Sequence, residues 1–391
     1  MTSKIVVNNI EADSGVSTVT FAGDISVTGS AGALSATSVT SSGAVIAGSI
    51  TVGNSFLNAN SIGIGTTNTA GRNAGISTVE GTLIYNSTTK QLEVFDGSGW
   101  IGGLTTPPGN IEATGGNEAT PGDGYKYHFY TGPGPFSVSE CPPTATIDYL
   151  VVAGGGSGGG NRAGGGGGGG FRTGTGAPIV AGANTVTIGA GGGVGTNPGN
   201  DSSLTGPGLT DITSSGGGYG ATAGSSNGAP GGSGGGSATN PSGTAGTGNA
   251  GGYTPPEGNN GGTGAGPSGS GAGGGGGAGG NGNNGTGPAG GPGGDGSPVS
   301  WIPADYGTTG PSPGRWFSGG GGGGKDFPGP GGAGGAGGGG QGQSGPASDG
   351  TDGTANTGGG AGGGGGQTGS LSGTPNAGGS GFVAVRYSYP S

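Results

Sequence analysis

A glycine-rich stretch between residues 153 and 381 limits what this chain can fold into more than any other feature. The chain of 391 residues contains 120 Gly, and most of them lie in this stretch. Because Gly loses more conformational entropy on ordering than any other residue, the stretch is costly to fold and offers little apolar area in return. Two short apolar runs bracket it, at residues 147–152 and 382–387. These runs predict two paired β-strands, so that the chain leaves and returns to one place.

Three structures compete for the glycine-rich stretch. Composition alone favours a flexible, low-complexity coil. A collagen triple helix requires Gly at every third position, and the uninterrupted Gly run at residues 164–170 beside the Gly-free residues 297–306 breaks that register. The third structure is a bundle of polyproline-II-type helices made largely of Gly. In such a bundle the outward-pointing amides bond to adjacent helices, at a distance that any Cβ would prevent.

The bracketing strands favour the ordered bundle over the coil, because a tail or linker has no need to return to its starting point. We therefore predict a mainly β fold that carries a glycine-rich polyproline-II or polyglycine-II helix bundle over residues 153–381, with no appreciable α-helix. Breakers such as Asn197-Pro198 and Pro311-Ser312-Pro313 separate the Gly runs and predict loop tips at the ends of the bundle.

The entry and exit of this stretch resemble those of a glycine-rich domain in phage tail-fibre proteins. The motifs that carry the resemblance are Gly124-Tyr125-Lys126-Tyr127-His128-Phe129-Tyr130, Gly134-Pro135-Phe136-Ser137-Val138, Ile147-Asp148-Tyr149-Leu150-Val151-Val152-Ala153-Gly154-Gly155-Gly156 and Gly381-Phe382-Val383-Ala384-Val385-Arg386-Tyr387. In the related tail-tip adhesins of T-even-like phages, a sandwich of polyglycine-II helices presents variable loops to a bacterial surface receptor. The resemblance covers roughly residues 120–389 and implies a receptor-binding domain. The chain departs from those adhesins by carrying its own N-terminal region.

The rest of the chain divides into shorter regions. Residues 1–80 contain alternating segments of four to seven residues that predict short β-strands in a loose repeat. One set of such strands cannot bury enough apolar area alone, but three chains wound together could. Their start is similar to the N-termini of marine, cyanophage-type virion fibre proteins, which implies a virion-anchoring and oligomerisation region. Residues 81–103 predict a β-hairpin and also resemble a small module of phage tail fibres, residues 104–120 a linker, and residues 121–391 the glycine-rich domain.

Composition excludes several functions. Only 7% of residues are charged, and a formal charge of −10 with nine Lys and Arg argues against nucleic-acid binding and against anionic membranes. The single Cys141 excludes an intramolecular disulfide framework. No run approaches a transmembrane span and no signal peptide is visible, so we expect synthesis in a cytoplasm and no membrane insertion. His128, the only histidine, lies between aromatic residues and is expected to be a packed residue.

One aromatic segment interrupts the glycine-rich stretch. Clustered rings with an Arg or Lys make good contact surfaces for sugars or proteins, because flat rings give a large contact area at low entropic cost. The alternative is that the same rings fold over the edge of the bundle as its apolar staple. The candidate receptor-binding residues are Trp301, Tyr306, Arg315, Trp316, Phe317 and Phe327, with Tyr219 and Tyr253 as weaker candidates.

No constellation for catalysis is visible. The Gly run before Lys325 mimics a phosphate loop, but Asp326 replaces the required Ser or Thr. We find no obvious carboxylate pair and no metal-spaced His or Cys cluster, so we expect no enzyme, cofactor or metal. Two acids could still meet in space, which leaves a depolymerase as a minor alternative.

The sequence therefore predicts a viral fibre or adhesin in the virion. Its N-terminus would bind other virion proteins as a homotrimer, and its glycine-rich bundle would display loops to a host cell-surface receptor, either a glycan or an outer-membrane protein. The alternative from another class is a structural spacer or decoration of the virion that binds no receptor. An ice-binding or silk-like matrix is disfavoured, because the irregular breakers leave no flat, repeating face.

Overall fold

The computed structural model describes residues 66–74, 80–102, 110–240, 242–266, 270–325, 328–344, 350–366 and 375–389. The chain divides into two compact units, Met1–Gly102 and Gly103–Ser391. The strands predicted between residues 4 and 50 lie outside the described residues. No helix within the described ranges is long and apolar enough to cross a membrane.

The described residues of the first unit form a small sheet. The hairpin predicted here is present, because β2 pairs antiparallel with β3. The elements are β1 (Thr66–Thr67), α1 (Thr69–Asn73), β2 (Leu83–Asn86), β3 (Gln91–Phe95) and β4 (Trp100–Gly102), and the strand order is β1-β2-β3-β4. Trp100 packs edge-on against Phe95, with 5.5 Å between ring centroids. Helix α1, of five residues, is the single α-helix among the residues that the structure describes, which agrees with the prediction of no appreciable α-helix.

A buried carboxylate joins α1 to the hairpin. Glu93 is 2% exposed and accepts hydrogen bonds from Arg72 Nη1 at 2.8 Å, Asn86 Nδ2 at 2.9 Å and Thr89 Oγ1 at 3.1 Å. Burial by itself would raise the pKa of Glu93, but these three donors outweigh it and lower the pKa below its ordinary value. The carboxylate is therefore held in its charged form.

The second unit is a β-sandwich with a glycine bundle inserted into it. Its strands are β5 (Glu112–Thr114), β6 (Asn117–Ala119), β7 (Tyr125–Tyr130), β8 (Gly134–Glu140), β9 (Thr146–Val152), β10 (Phe171–Pro178), β11 (Gly182–Thr187), β12 (Ser202–Thr205), β13 (Ile212–Ser214), β14 (Ser297–Val299), β15 (Arg315–Phe317) and β16 (Phe382–Ser388). One sheet has the order β10-β9-β16-β7-β6, the second has the order β13-β12-β11-β8-β5, and β14 and β15 form a separate hairpin. The predicted pairing of the two bracketing runs is confirmed, because β16 lies antiparallel to β9.

The first sheet buries both of its faces. Successive side chains along its strands point to opposite faces of the sheet. On β16, Val383 and Val385 pack with Phe136 and Leu204 in the core between the two sheets. The intervening Phe382 and Ala384 point to the opposite face, where they pack against a second apolar cluster. That second cluster contains Val299, Ile302 and Phe317, so the aromatic segment covers the outer face of the sheet.

Two predicted boundaries need correction. Residues 104–120 were expected to be a linker, but β5 pairs with β8 and β6 pairs with β7, so part of this stretch forms edge strands of the two sheets. The bundle predicted over residues 153–381 is interrupted by β10 to β13, three of which belong to the second sheet. Strands β5, β6, β12 and β13 are only three or four residues long, and β10 and β11 are rich in Gly and Thr, so a low apolar content concealed them.

Hydrogen bonds in the glycine-rich stretch repeat every three residues, which identifies the bundle. The central segment, residues 163–170, donates its backbone N–H groups to three neighbouring segments in strict rotation. Residues 163, 166 and 169 donate to the carbonyls of residues 364, 361 and 358; residues 164, 167 and 170 donate to those of residues 221, 218 and 215; residues 165 and 168 donate to those of residues 273 and 276. A period of three is that of polyproline II, whereas an α-helix repeats at 3.6 residues and a strand at 2.

The carbonyls of the same segment face three further neighbours. They accept from residues 324 and 321, from residues 159, 156 and 153, and from residues 236 and 233. Six helices therefore surround the central one, and most of these residues are buried. The prediction of a polyglycine-II bundle is confirmed by this pattern, in which backbone amides rather than apolar side chains hold the helices together.

His128 lies at the centre of the sandwich and is completely buried, as expected of a packed residue. Its Nδ1 lies 2.7 Å from the carbonyl of Gly115 and its Nε2 lies 3.1 Å from the hydroxyl of Tyr387. A neutral ring satisfies both contacts, with Nδ1–H donating to the carbonyl and Nε2 accepting from the hydroxyl. Burial lowers the pKa of His128 below 6.5, outweighing the opposite effects of Gly115 and Glu118.

We expect the stability of the sandwich to fall in mild acid. Because the folded state disfavours the protonated ring, the contribution of His128 is complete above the unfolded pKa of about 6.5 and decreases as the pH falls below it, by at most ~1.4 kcal/mol per pH unit. Urea unfolding between roughly pH 7.5 and 5 measures this slope. The variant His128→Gln should flatten it, and a wild-type slope retained by that variant would assign the dependence to other groups.

Candidate functional site: an aromatic groove

The β14–β15 hairpin carries the aromatic segment and fixes it on the first sheet. Its register pairs Ser297 with Phe317 and Val299 with Arg315, and the loop between the strands contains Trp301 and Tyr306. The Arg315 side chain binds the backbone of this loop. Its Nε donates to the carbonyl of Tyr306 and its Nη2 to that of Gly307, each at 2.6 Å. Arg315 therefore orders the loop.

Three of the predicted receptor-binding rings pack into the fold. Phe317 is completely buried and stacks on Phe382, with 5.2 Å between centroids. Trp316 is 8% exposed, and its Nε1 donates to the carbonyl of Ser312 at 2.9 Å. Tyr306 lies 4.7 Å from the ring of Phe129. As a correction to the predicted site, Trp316 and Phe317 form the apolar staple of the segment and offer little surface to a partner, whereas Tyr306 is only partly buried against the same cluster.

Trp301 differs from the buried Trp316 and Phe317. Its ring is only partly buried and lies 6.2 Å from that of Tyr127. Beside it opens a cavity of about 540 Å³, which we call the aromatic groove; Pro121, Asp123, Tyr127, Trp301, Ile302 and Arg386 are among the residues that line it. This volume falls within the range of about 300–1,000 Å³ typical of small-ligand sites. The groove is larger than two further cavities of the glycine-rich unit, of about 290 and 280 Å³.

Two charged groups of opposite sign line the aromatic groove. The Arg386 guanidinium lies between two rings, 4.2 Å from the centroid of Tyr125 and 5.0 Å from that of Trp301, and its Nε donates to Asp148 Oδ2 at 3.0 Å. Asp123 is exposed and accepts from the Tyr127 hydroxyl at 2.5 Å. Burial, followed by this bond to Asp123, raises the pKa of Tyr127 above its ordinary value, so the hydroxyl stays protonated and donates a hydrogen bond to the carboxylate.

The remaining candidates lie apart from the groove or outside the described residues. Tyr219 is half-buried in a bundle segment. Tyr253 lies beneath the Arg172 guanidinium, 4.0 Å from ring centroid to Cζ, and Arg172 also lines two smaller cavities of about 290 and 280 Å³. Phe327 lies outside the described residues. Among the candidates that the structure describes, Trp301 is thus the one that lines the aromatic groove.

Sequence reasoning missed the polar half of the groove. Asp123 precedes β7 and Arg386 lies on β16, and only the antiparallel pairing of these strands, which sets Tyr127 opposite Arg386, brings them to Trp301. Within the described ranges, no group of three or more His, Cys, Asp or Glu side chains could hold a metal ion. The chemistry that the groove offers is stacking together with hydrogen bonding.

Comparison with known proteins agrees with the fold. The model of a family described as the glycine-rich domain matches residues 131–388, which is more than half of the chain and spans the sandwich from β8 to β16. None of the curated proteins matches the chain. The chain therefore belongs to the glycine-rich domain family.

Proposed function

We propose that this chain is a fibre or adhesin protein of a phage virion that binds a receptor on the host cell surface. In this proposal the N-terminal region attaches three copies to other virion proteins, and the glycine-rich unit carries the receptor site. The resemblance of residues 120–389 to glycine-rich domains of tail fibres supports the virion assignment, as does the fibre-like hairpin of the first unit.

The aromatic groove is the observation that carries the receptor-binding part of the proposal. A partly exposed Trp301, next to a cavity lined with fixed polar groups, is the surface expected of a recognition site. Its support is rigid, since Ile302 and Phe317 are buried against the first sheet and Arg315 holds the loop. A rigid support lowers the conformational entropy lost on binding.

The proposal can be tested by binding the purified full-length protein to cells. Fluorescently labelled protein is incubated with a panel of bacterial strains that includes cyanobacteria, and bound fluorescence is measured by flow cytometry. We expect binding to a subset of strains, and Trp301→Ala to weaken it at least tenfold, which equals ~1.4 kcal/mol. Val194→Ala is the matched control, because Val194 is 64% exposed and does not line the groove.

The alternative, a virion spacer or decoration that binds no receptor, predicts no binding to cells. Such a protein would bind none of the strains, including the natural host of the virion that contains it. Antibody labelling of that virion, seen by electron microscopy, locates the protein on the particle. Absence of label from every fibre and tail structure would refute the fibre assignment itself.

A further inference from the structure

The groups that line the aromatic groove allow the class of its ligand to be narrowed, an inference that rests on the proposed receptor function. We propose that the groove binds an uncharged glycan, with the exposed part of the Trp301 ring against the apolar face of a sugar and Asp123 accepting hydrogen bonds from its hydroxyls. The charge balance, the fixed acceptor and the exposed ring each support this choice over other ligands.

The charge balance of the groove argues against ionic ligands. The positive charge of Arg386 is matched by Asp148 at 3.0 Å, which leaves the carboxylate of Asp123 as the excess charge. An anionic ligand such as a phosphate or a uronate would meet that carboxylate and be repelled. A cationic ligand would find the position near the Trp301 ring already taken by the Arg386 guanidinium, 5.0 Å from the ring centroid. A neutral molecule avoids the repulsion by Asp123 and needs no cation–π contact.

Asp123 is fixed as an acceptor. One oxygen, Oδ2, accepts from the Tyr127 hydroxyl at 2.5 Å, and the other, Oδ1, accepts from the backbone N–H of Tyr125 at 3.2 Å. An ionised carboxylate offers about four acceptor positions, so two such bonds leave capacity for hydroxyl donors. Because the carboxylate is exposed and already oriented, sugar hydroxyls bind to it without further ordering of the side chain.

The ring of Trp301 supplies the apolar half of the contact. Ile302 and Pro303 line the groove next to it, and the rings of Tyr127 and Phe129 form buried parts of the lining. A pyranose has one face of C–H groups and a rim of hydroxyls, so it matches a flat ring with a carboxylate at its edge. A protein segment would instead favour a larger apolar patch than one partly exposed ring.

The test measures the binding of the full-length protein to an array of oligosaccharides. The probes are neutral oligomers of glucose, galactose and mannose, with matched oligomers that carry uronate or sulfate groups. We expect neutral oligomers to bind and their acidic counterparts to bind at least tenfold more weakly. Acidic oligomers that bind as tightly as the neutral ones would overturn the inference, as would an array on which no neutral oligomer binds.

Variants locate the site. We expect Trp301→Ala to weaken binding of the best neutral oligomer at least tenfold, and Asp123→Asn, which preserves the size of the side chain, to weaken it about fivefold (~1 kcal/mol). Trp100→Ala, a tryptophan variant in the other unit, should bind as the wild type does. Thermal unfolding of each variant checks the fold. Binding that a folded Trp301→Ala protein retains in full would remove the ligand from this groove.

The outcomes separate this inference from the proposed function. Binding of neutral oligomers without binding to any cell would leave the ligand class standing and refute the receptor role. Binding to cells that requires Trp301 but disappears when surface proteins are digested with protease would support the receptor role and overturn the glycan. Binding to cells that survives the protease and is competed by the best neutral oligomer is the result that both proposals require.

Discussion

Replacement of Gly166 by Ala should unfold or severely destabilise the glycine-rich unit, although the change adds a single methyl group. Gly166 lies in the central helix of the bundle, where its N–H donates to Ala361 and its carbonyl accepts from Gly321, both at 2.8 Å. A Cβ on this residue would lie 2.2 Å from the carbonyl oxygen of Gly156, a distance that no real Cβ adopts. The backbones must therefore separate.

The expected loss of stability follows from the contacts that would break if the backbones separated. Overpacking in a rigid interior costs about 1–3 kcal/mol, and each buried backbone group that loses its partner costs about 1–3 kcal/mol more. With two hydrogen bonds of Gly166 at risk, we expect the free energy of unfolding to fall by more than ~3 kcal/mol. Thermal and urea unfolding measure that loss, and amide hydrogen exchange in residues 153–170 should accelerate with it.

The chain supplies a matched control for this experiment. Gly193 is exposed, its backbone is outside the left-handed region, and a Cβ built on it would have no atom within 4 Å. Gly193→Ala should therefore leave stability unchanged or raise it by about 0.4–1 kcal/mol through the unfolded state. Equal behaviour of the two variants would mean that close backbone contact does not hold the bundle together.

Composition alone favoured a flexible coil, and the bracketing strands were needed to predict the bundle. Residues 163–170 carry almost no side chains, so their buried amides have few ways to find hydrogen-bond partners. The polyproline-II helix, which repeats every three residues, needs no side chains. The bracketing strands were equally predictable, because Leu150 to Val152 and Phe382 to Val385 are apolar runs next to the Gly tracts. They pair as expected.

The missed strands lacked such a signal. β5 and β6 are three residues each and hold exposed Glu112, Thr114 and Asn117, so nothing in their composition distinguishes them from a linker. They form because β8 and β7 offer unpaired edges. β11 carries a visible alternation, with Val186 buried between exposed Thr185 and Thr187, which could have marked a strand inside the glycine-rich stretch.

The candidate site was predictable only in its aromatic half. A cluster with two of the three Trp stands out in so glycine-rich a chain, but local sequence cannot say which rings turn inward. The pleat decides that question for Phe317, whose ring lies against Phe382. The acidic and basic groups come from strands distant in sequence, so Asp123 and Arg386 become neighbours only through the register of the first sheet.

Phe317→Ala should cost the glycine-rich unit about 3–5 kcal/mol, the range for removing a buried aromatic ring. The ring of Phe317 is completely buried, 5.2 Å from that of Phe382, and belongs to the cluster that joins the aromatic segment to the first sheet. Its loss leaves a cavity that a backbone fixed by the bundle cannot close. Urea unfolding of the full-length protein, following the glycine-rich unit, measures the change.

Trp301→Ala is the comparison that separates packing from recognition. Because the Trp301 ring is only partly buried, we expect its removal to cost clearly less stability than the removal of Phe317, although it is the larger side chain. In cell binding the order should be reversed. At a temperature where both variants are folded, we expect Trp301→Ala to bind cells more weakly than Phe317→Ala does. A larger loss of stability in Trp301→Ala than in Phe317→Ala would mean that Trp301 is a packing residue, and the groove would then have no ring available for recognition.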